Sequence, residues 1–166
     1  MVDKKEQISF WNEKKAFSTR TEEWETPLDL YNKLNNIYKF TLDPCCTKES
    51  AKCDKYYTKE DNGFIKDWSN EVVFMNPPYG RQIGLWIEKA YKESLKGAIV
   101  VCLIPARTDT KYWHNFIFKY AKQILFIKGR ISFINGNKKA PAPFPSAIIE
   151  FNYNKIPTLQ NIGVFK

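Results

Sequence analysis

Residues 98–104, Ala-Ile-Val-Val-Cys-Leu-Ile, form the longest unbroken apolar run in the chain. A strand with one face in water alternates apolar and polar residues. An unbroken run instead predicts a strand covered on both faces, as in the middle of a sheet flanked by helices. Residues 72–75, Val-Val-Phe-Met, repeat that character on a smaller scale. Further strands are expected at 40–42, 56–58 (weakly), 123–127 and 146–151. Helical spacing predicts helices between them. One runs from Thr26-Pro27 to Tyr38, carrying Leu30, Tyr31, Leu34, Ile37 and Tyr38. A second covers 83–94, with Trp86, Ile87, Ala90 and Tyr91 facing inward, and a third covers 110–120. Thr26-Pro27 matches an N-cap followed by proline at the first helical position. Strands separated by helices imply an α/β fold, a mostly parallel twisted sheet with helices on both faces. Residues 129–145, rich in Gly, Pro, Asn and Lys, read as an ordered surface loop that a short hairpin through 131–133 would open.

The length of 166 residues suits one domain with a single substantial core. Residues 1–20 are polar and charged and read as a basic arm, leaving 21–166 as the folded domain. A net charge of +8 favours a polyanionic partner, against the plainer reading of solvated surface charge. No apolar stretch reaches the roughly 18 residues that span a bilayer, and residues 1–15 lack a signal-peptide core, so a soluble, cytoplasmic chain is expected. Cys45, Cys46, Cys53 and Cys102 with the lone His114 fit no familiar zinc spacing, and no metal is expected.

Ligands of open α/β sheets bind at the carboxyl ends of strands. Three unusual sequences fall at such ends: Asp43-Pro44-Cys45, Asn76-Pro77-Pro78-Tyr79 and Pro105-Ala106-Arg107-Thr108-Asp109. Two successive prolines fix φ and remove two backbone donors, so the middle loop is stiff and presents carbonyls. Taken alone, it also reads as a strand stop with a tyrosine packed on the surface.

With these motifs and their order, the chain resembles the small phage-type DNA N6-adenine methyltransferases. The matching stretches begin at Trp24-Glu25-Thr26-Pro27 and Phe40-Thr41-Leu42-Asp43-Pro44-Cys45. They continue through Ala51-Lys52-Cys53, Asp61-Asn62-Gly63-Phe64 and Asp67-Trp68 to Asn76-Pro77-Pro78-Tyr79-Gly80-Arg81. The last are Pro105-Ala106-Arg107-Thr108-Asp109-Thr110, Gly129-Arg130-Ile131-Ser132-Phe133 and Ala142-Pro143-Phe144-Pro145-Ser146.

The resemblance implies a single-domain Rossmann-like methyltransferase fold. It implies S-adenosyl-L-methionine as cofactor, double-stranded DNA as partner, and transfer of a methyl group to the N6 of a flipped-out adenine. It also suggests a phage or prophage protein in a bacterial host, with a role in restriction-modification. Asn76, Pro77, Pro78 and Tyr79 would be catalytic. Thr26 and Pro27 would grip the cofactor's amino-acid end. Asp43, Pro44 and Cys45 stand where the wider superfamily has a Gly-rich turn, Asp43 facing the cofactor's ammonium. Glu60 or Asp61 would take its ribose, and Asp67 and Trp68 its adenine. Arg81, Arg107, Arg130, Lys138 and Lys139 are candidates for phosphate contacts, or simply a solvated basic face. Phe133 is a second stacking surface for the base.

Asn-Pro-Pro-Tyr also occurs in methyltransferases acting on protein glutamine or RNA. A nucleic-acid-binding module that has lost its chemistry is the reading from a different class. DNA specificity is expected from loops such as 129–145 or from a partner chain.

Overall fold

Period-two burial in the central strands sets the layering. In β3 (Val72–Met75), Val73 and Met75 join one apolar cluster while Phe74 joins another. In β4 (Ile99–Pro105), Val100, Cys102 and Ile104 face the first, and Val101 and Leu103 the second. Both faces of these strands are buried, so each needs its own cover. The structure, a computed structural model, describes residues 25–135, 138–153 and 161–165. The N-terminal arm expected at residues 1–20 lies outside the described residues. Helix α1 (Leu28–Tyr38) seals one face through Tyr31 and Leu34. Helix α2 (Ile83–Ser94) and a π-helix (Trp113–Ile117) seal the other through Trp86, Ile87, Ala90, Trp113 and Ile117.

Seven strands form one sheet in the order β2-β1-β3-β4-β8-β5-β9, with β1 at Leu42–Asp43, β2 at Lys55–Tyr56, β5 at Gln123–Ile127, β8 at Ser146–Asn152 and β9 at Asn161–Phe165. Every neighbouring pair is parallel except those of β8, which runs antiparallel to both β4 and β5. The fold is therefore mixed α/β with a mostly parallel sheet, as expected. From β1 the chain moves outward to β2 and then returns across β1 to β3, so strand order reverses between β1 and β3. A reversal of this kind leaves a crevice at the strand carboxyl ends.

Several elements differ from the sequence reading. Pro27 is itself the N-cap of α1, with φ −56° and ψ 138°, and the Thr26 side chain caps nothing. Ile37, counted on the apolar stripe, is 68% exposed. β1 is shorter than expected, Leu42–Asp43, although Thr41 N–H bonds the Val72 carbonyl just ahead of it. Residues 113–117 wind as a π-helix, followed by a short helix α3 (Phe118–Tyr120). The hairpin expected to open the segment 129–145 is present but longer, with β6 at Ser132–Asn135 and β7 at Lys138–Pro141, and Ile131, Phe133, Ala142 and Phe144 are buried. Among the described residues no helix is long and apolar enough to cross a membrane.

Candidate functional site

The strand-end motifs after β1, β3 and β4 lie along one edge of the sheet, because those strands are parallel neighbours. Asn76 leaves β3 with its side chain held at both ends. Its Nδ2 donates to Thr26 Oγ1 at 3.1 Å, and its Oδ1 accepts from the Tyr79 hydroxyl at 2.6 Å. The same hydroxyl lies 3.2 Å from the Leu103 carbonyl, which ties the loop to β4. An amide whose N–H2 end is occupied by Thr26 points its carbonyl toward Tyr79. Thr26 is almost fully buried, and Glu25 beside it makes a two-way backbone bridge to Ile134 of β6. The strap 25–27 thus joins the hairpin to the Asn76 loop.

Tyr79 is partly buried. Its ring meets Phe144 edge-on at 5.4 Å and Phe133 at 6.1 Å. Burial raises its phenol well above the ordinary value, so the hydroxyl remains a neutral donor. Phe133, expected as a second stacking surface, is fully buried and supports Tyr79 from the side.

Asp43 is 3% exposed at the end of β1. Its Oδ2 accepts the Lys52 N–H at 3.1 Å, and the Cys45 N–H also bonds the carboxylate. The Lys52 ammonium does not pair with it but turns to Glu25 at 2.8 Å. Burial therefore wins over the backbone bonds and pushes Asp43 up to about 6. A buried carboxylate without a full counter-charge fits a cationic ligand group arriving from the crevice. The turn carrying it is held by Gly63, where an added Cβ would stand 2.0 Å from the Pro44 carbonyl oxygen, a contact only glycine permits.

The remaining predicted residues divide. Asp61 follows β2 and accepts Thr58 N–H and Oγ1, both at 2.9 Å, so its carboxylate closes its own turn; Glu60 beside it is exposed. Asp67 and Trp68 are not brought to the crevice. Trp68 is a core pillar, fully buried, stacked on Trp86 at 6.3 Å and donating its indole N–H to the Gly63 carbonyl at 2.9 Å. Its backbone N–H bonds the buried Glu93 near the end of α2, and exposed Asp67 caps Ser69 and faces Lys96. Burial fixes these roles, which the mere proximity of an acid and an indole in sequence does not. Arg81, Arg107 and Arg130 are exposed, and Arg107 lies over the Phe144 ring at 5.7 Å.

Two residues inside the matching stretches, with no role expected for either, complete the picture. Lys52 supplies the backbone N–H that orders Asp43, and Phe144 braces both Tyr79 and Arg107. Beside Tyr79 opens a cleft of about 380 Å³, bounded by the start of α2 and the loop after β4.

Against known proteins, the family model for DNA N-6-adenine-methyltransferase (Dam) matches residues 13–148. A DNA N-6-adenine-methyltransferase of Escherichia phage T1 is 30% identical over 120 residues, 70% of this chain and 50% of that protein. The chain thus spans about half the length of that relative. YfdM of Escherichia coli (strain K12), provisionally named a methyltransferase, is 37% identical over 65 residues, 35% of this chain and 71% of its own. With the family model covering most of its length, the chain belongs to the DNA N-6-adenine-methyltransferase (Dam) family.

Proposed function

We propose that the protein is a DNA (adenine-N6)-methyltransferase using S-adenosyl-L-methionine, with residues 21–166 as a single Rossmann-like catalytic domain. The observation that carries this reading is the fixed Asn76 carboxamide at the strand-order reversal, next to a buried carboxylate. The cofactor, when bound, supplies an electrophilic methyl group on a sulfonium. Asp43 would face its ammonium and the start of α1 its carboxylate, since helix N-termini offer free N–H groups. Pro44 and Cys45 would shape the floor, and Glu60 and Asp61, both bonded to Thr58 in the turn after β2, are the candidate ribose acids.

The amino lone pair of adenine is delocalised into the ring and is a poor nucleophile. Asn76 Oδ1 and the Pro77 carbonyl would accept its two hydrogens and favour a more tetrahedral nitrogen. Positioning and fixed dipoles then supply most of the catalysis, without a strong base. The target must leave the duplex at a cost of a few kcal/mol. Stacking on Tyr79, at about 1–3 kcal/mol per base, offsets part of that cost. Arg81, Arg107 and Arg130 would neutralise phosphates. A cytoplasmic, DNA-bound enzyme accords with the net charge of +8.

The test is methyl transfer from labelled S-adenosyl-L-methionine to duplex DNA, to RNA and to glutamine-containing peptides, followed by nucleoside analysis. N6-methyladenine from DNA is the expected product, abolished by Asn76→Ala. Label in peptide or RNA alone would overturn the DNA assignment, and cofactor binding without transfer to any substrate would overturn the enzymatic one.

A further inference from the structure

Lys52 and Glu25 form an ion pair that local sequence does not dictate. Their side chains meet at 2.8 Å across a separation of 27 residues, between the loop joining β1 to β2 and the strap ahead of α1. The lysine is the more deeply placed partner, its side chain 7% exposed against 35% for Glu25. A charge so far from water needs a counter-charge, yet such a pair adds little net stability, because desolvation offsets much of the attraction. What the pair holds together is therefore of more consequence than its energy.

Both partners sit at junctions. The Lys52 backbone N–H bonds Asp43 Oδ2 at 3.1 Å, and the thiol of the next residue, Cys53, meets the Tyr31 hydroxyl of α1 at 3.6 Å. Glu25 is bridged through its backbone to Ile134 of β6, and Thr26 beside it accepts from the Asn76 amide at 3.1 Å. One pair thus connects the carboxylate proposed to meet the cofactor with the amide proposed to meet the base. The two carboxylates also share one cation: the Lys52 ammonium bonds Glu25, while its charge still helps to keep Asp43 ionised.

We propose that Lys52 is a positioning residue that couples cofactor binding to capture of the target adenine. When a cofactor ammonium pairs with Asp43, the Lys52 ammonium has one carboxylate left and commits to Glu25. The firmer pair steadies the strap 25–27. With it are steadied the Thr26 hydroxyl that orients Asn76 and the hairpin whose Phe133 backs Tyr79. A ligand shifts an equilibrium only through a difference it feels between two states, and here that difference is how the Lys52 charge divides between Asp43 and Glu25. By reciprocity, bound DNA tightens the cofactor by the same factor. This inference deepens the DNA methyltransferase reading and rests on it.

The test measures affinity for a short duplex with one adenine opposite an abasic site, with and without saturating S-adenosyl-L-homocysteine. That analogue keeps the cofactor's ammonium and carboxylate but has no methyl group to transfer. Wild type is compared with Lys52→Met, Glu25→Ala, the two changes together, and Lys52→Arg. All keep the backbone N–H at residue 52 that orders Asp43, and circular dichroism confirms the folds. In wild type the analogue should tighten DNA about tenfold, a typical coupling between two sites. Each single loss should bring that ratio close to one, the double variant should do no further harm, and Lys52→Arg should restore most of it. The double variant leaves no unpaired charge, so it reports the ratio even where a single variant fails to fold. A merely structural pair would weaken both ligands and leave the ratio untouched. A ratio of one in wild type, or an unchanged ratio in the variants lacking the pair, overturns the coupling even though the enzyme still methylates DNA. If wild type binds neither the analogue nor DNA and transfers no methyl group, the functional reading fails first and the coupling with it.

Discussion

The hydroxyl of Tyr79 bonds the carbonyl oxygen of Asn76 at 2.6 Å, closing a four-residue loop on itself. That oxygen is the acceptor that the proposed chemistry assigns to the amino group of the target base. On that proposal, base capture would exchange one hydrogen bond for another beside a Tyr79 ring held edge-on by Phe133 and Phe144.

Tyr79→Phe should keep the stacking ring and free the acceptor. Because a hydrogen bond is worth about 0.5–1.5 kcal/mol net, capture of an extruded base should tighten by a few-fold. Tyr79→Ala should instead lose about 1–3 kcal/mol of stacking. Fluorescence titration with a 2-aminopurine target separates the two, and equal weakening in both variants contradicts the exchange.

Thr26→Val removes the acceptor that fixes the Asn76 amide while keeping side-chain shape. Turnover should fall about tenfold as the amide loses its fixed orientation, less than the roughly 10²–10³ that follows loss of a preorganised donor itself. Thr26→Ser should restore it. A cofactor affinity that collapses while turnover at saturation holds would assign Thr26 to cofactor binding alone.

Asp43 gives the chain a specific pH signature. Its folded pKa, about 6, lies above the ordinary 3.8 of a free side chain. The protonated acid therefore stabilises the fold fully below pH 3.8, and that contribution disappears as pH rises through 6. The difference is roughly 3 kcal/mol, from 1.36 kcal/mol per pKa unit. Melting temperatures of the cofactor-free protein between pH 4 and 7 should fall more steeply for wild type than for Asp43→Asn. S-adenosyl-L-methionine should bind more tightly at pH 7.5 than at pH 5. Parallel melting slopes for the two proteins would remove Asp43 as the source.

Gly63→Ala should be among the most disruptive small changes in the chain. Its methyl would collide with the Pro44 carbonyl and displace the bond from the Trp68 indole to the Gly63 carbonyl. Overpacking of this kind costs about 1–3 kcal/mol or more. Chemical denaturation should show that loss together with weaker cofactor binding, whereas at exposed Gly80, where an added Cβ meets nothing, alanine should be tolerated.

Much of the sheet was readable because burial on both faces writes itself as uninterrupted apolar sequence. β3, β5 and α2 have the expected limits. Direction carries no such signature: nothing in Ser146-Ala147-Ile148-Ile149 distinguishes an antiparallel β8 from a parallel one. The hairpin of β6 and β7 was legible at its start, but its length was obscured by the Gly, Asn, Pro and Lys of the segment, although Ile131, Phe133, Ala142 and Phe144 are buried. At the site, motifs at strand ends were legible because proline and asparagine are unusual there. The role of Lys52 was not, since a single lysine on a loop has no pattern until its neighbours are known. Trp68 misled for the opposite reason: an indole beside an acid suits a ligand wall, yet its burial against Trp86 makes it a core residue.

The reversed course of β8 governs how such a protein can diversify. Because β8 starts beside Pro105 and runs back between β4 and β5, everything joining β5 to β8 emerges over the catalytic rim. The same segment reaches back to the catalytic loop, because Phe133 and Phe144 flank Tyr79 and Ile134 bridges to Glu25. On the proposed function, a change of nucleotide context made there would have to keep those aromatic braces while the seven-stranded ladder beneath stays as it is.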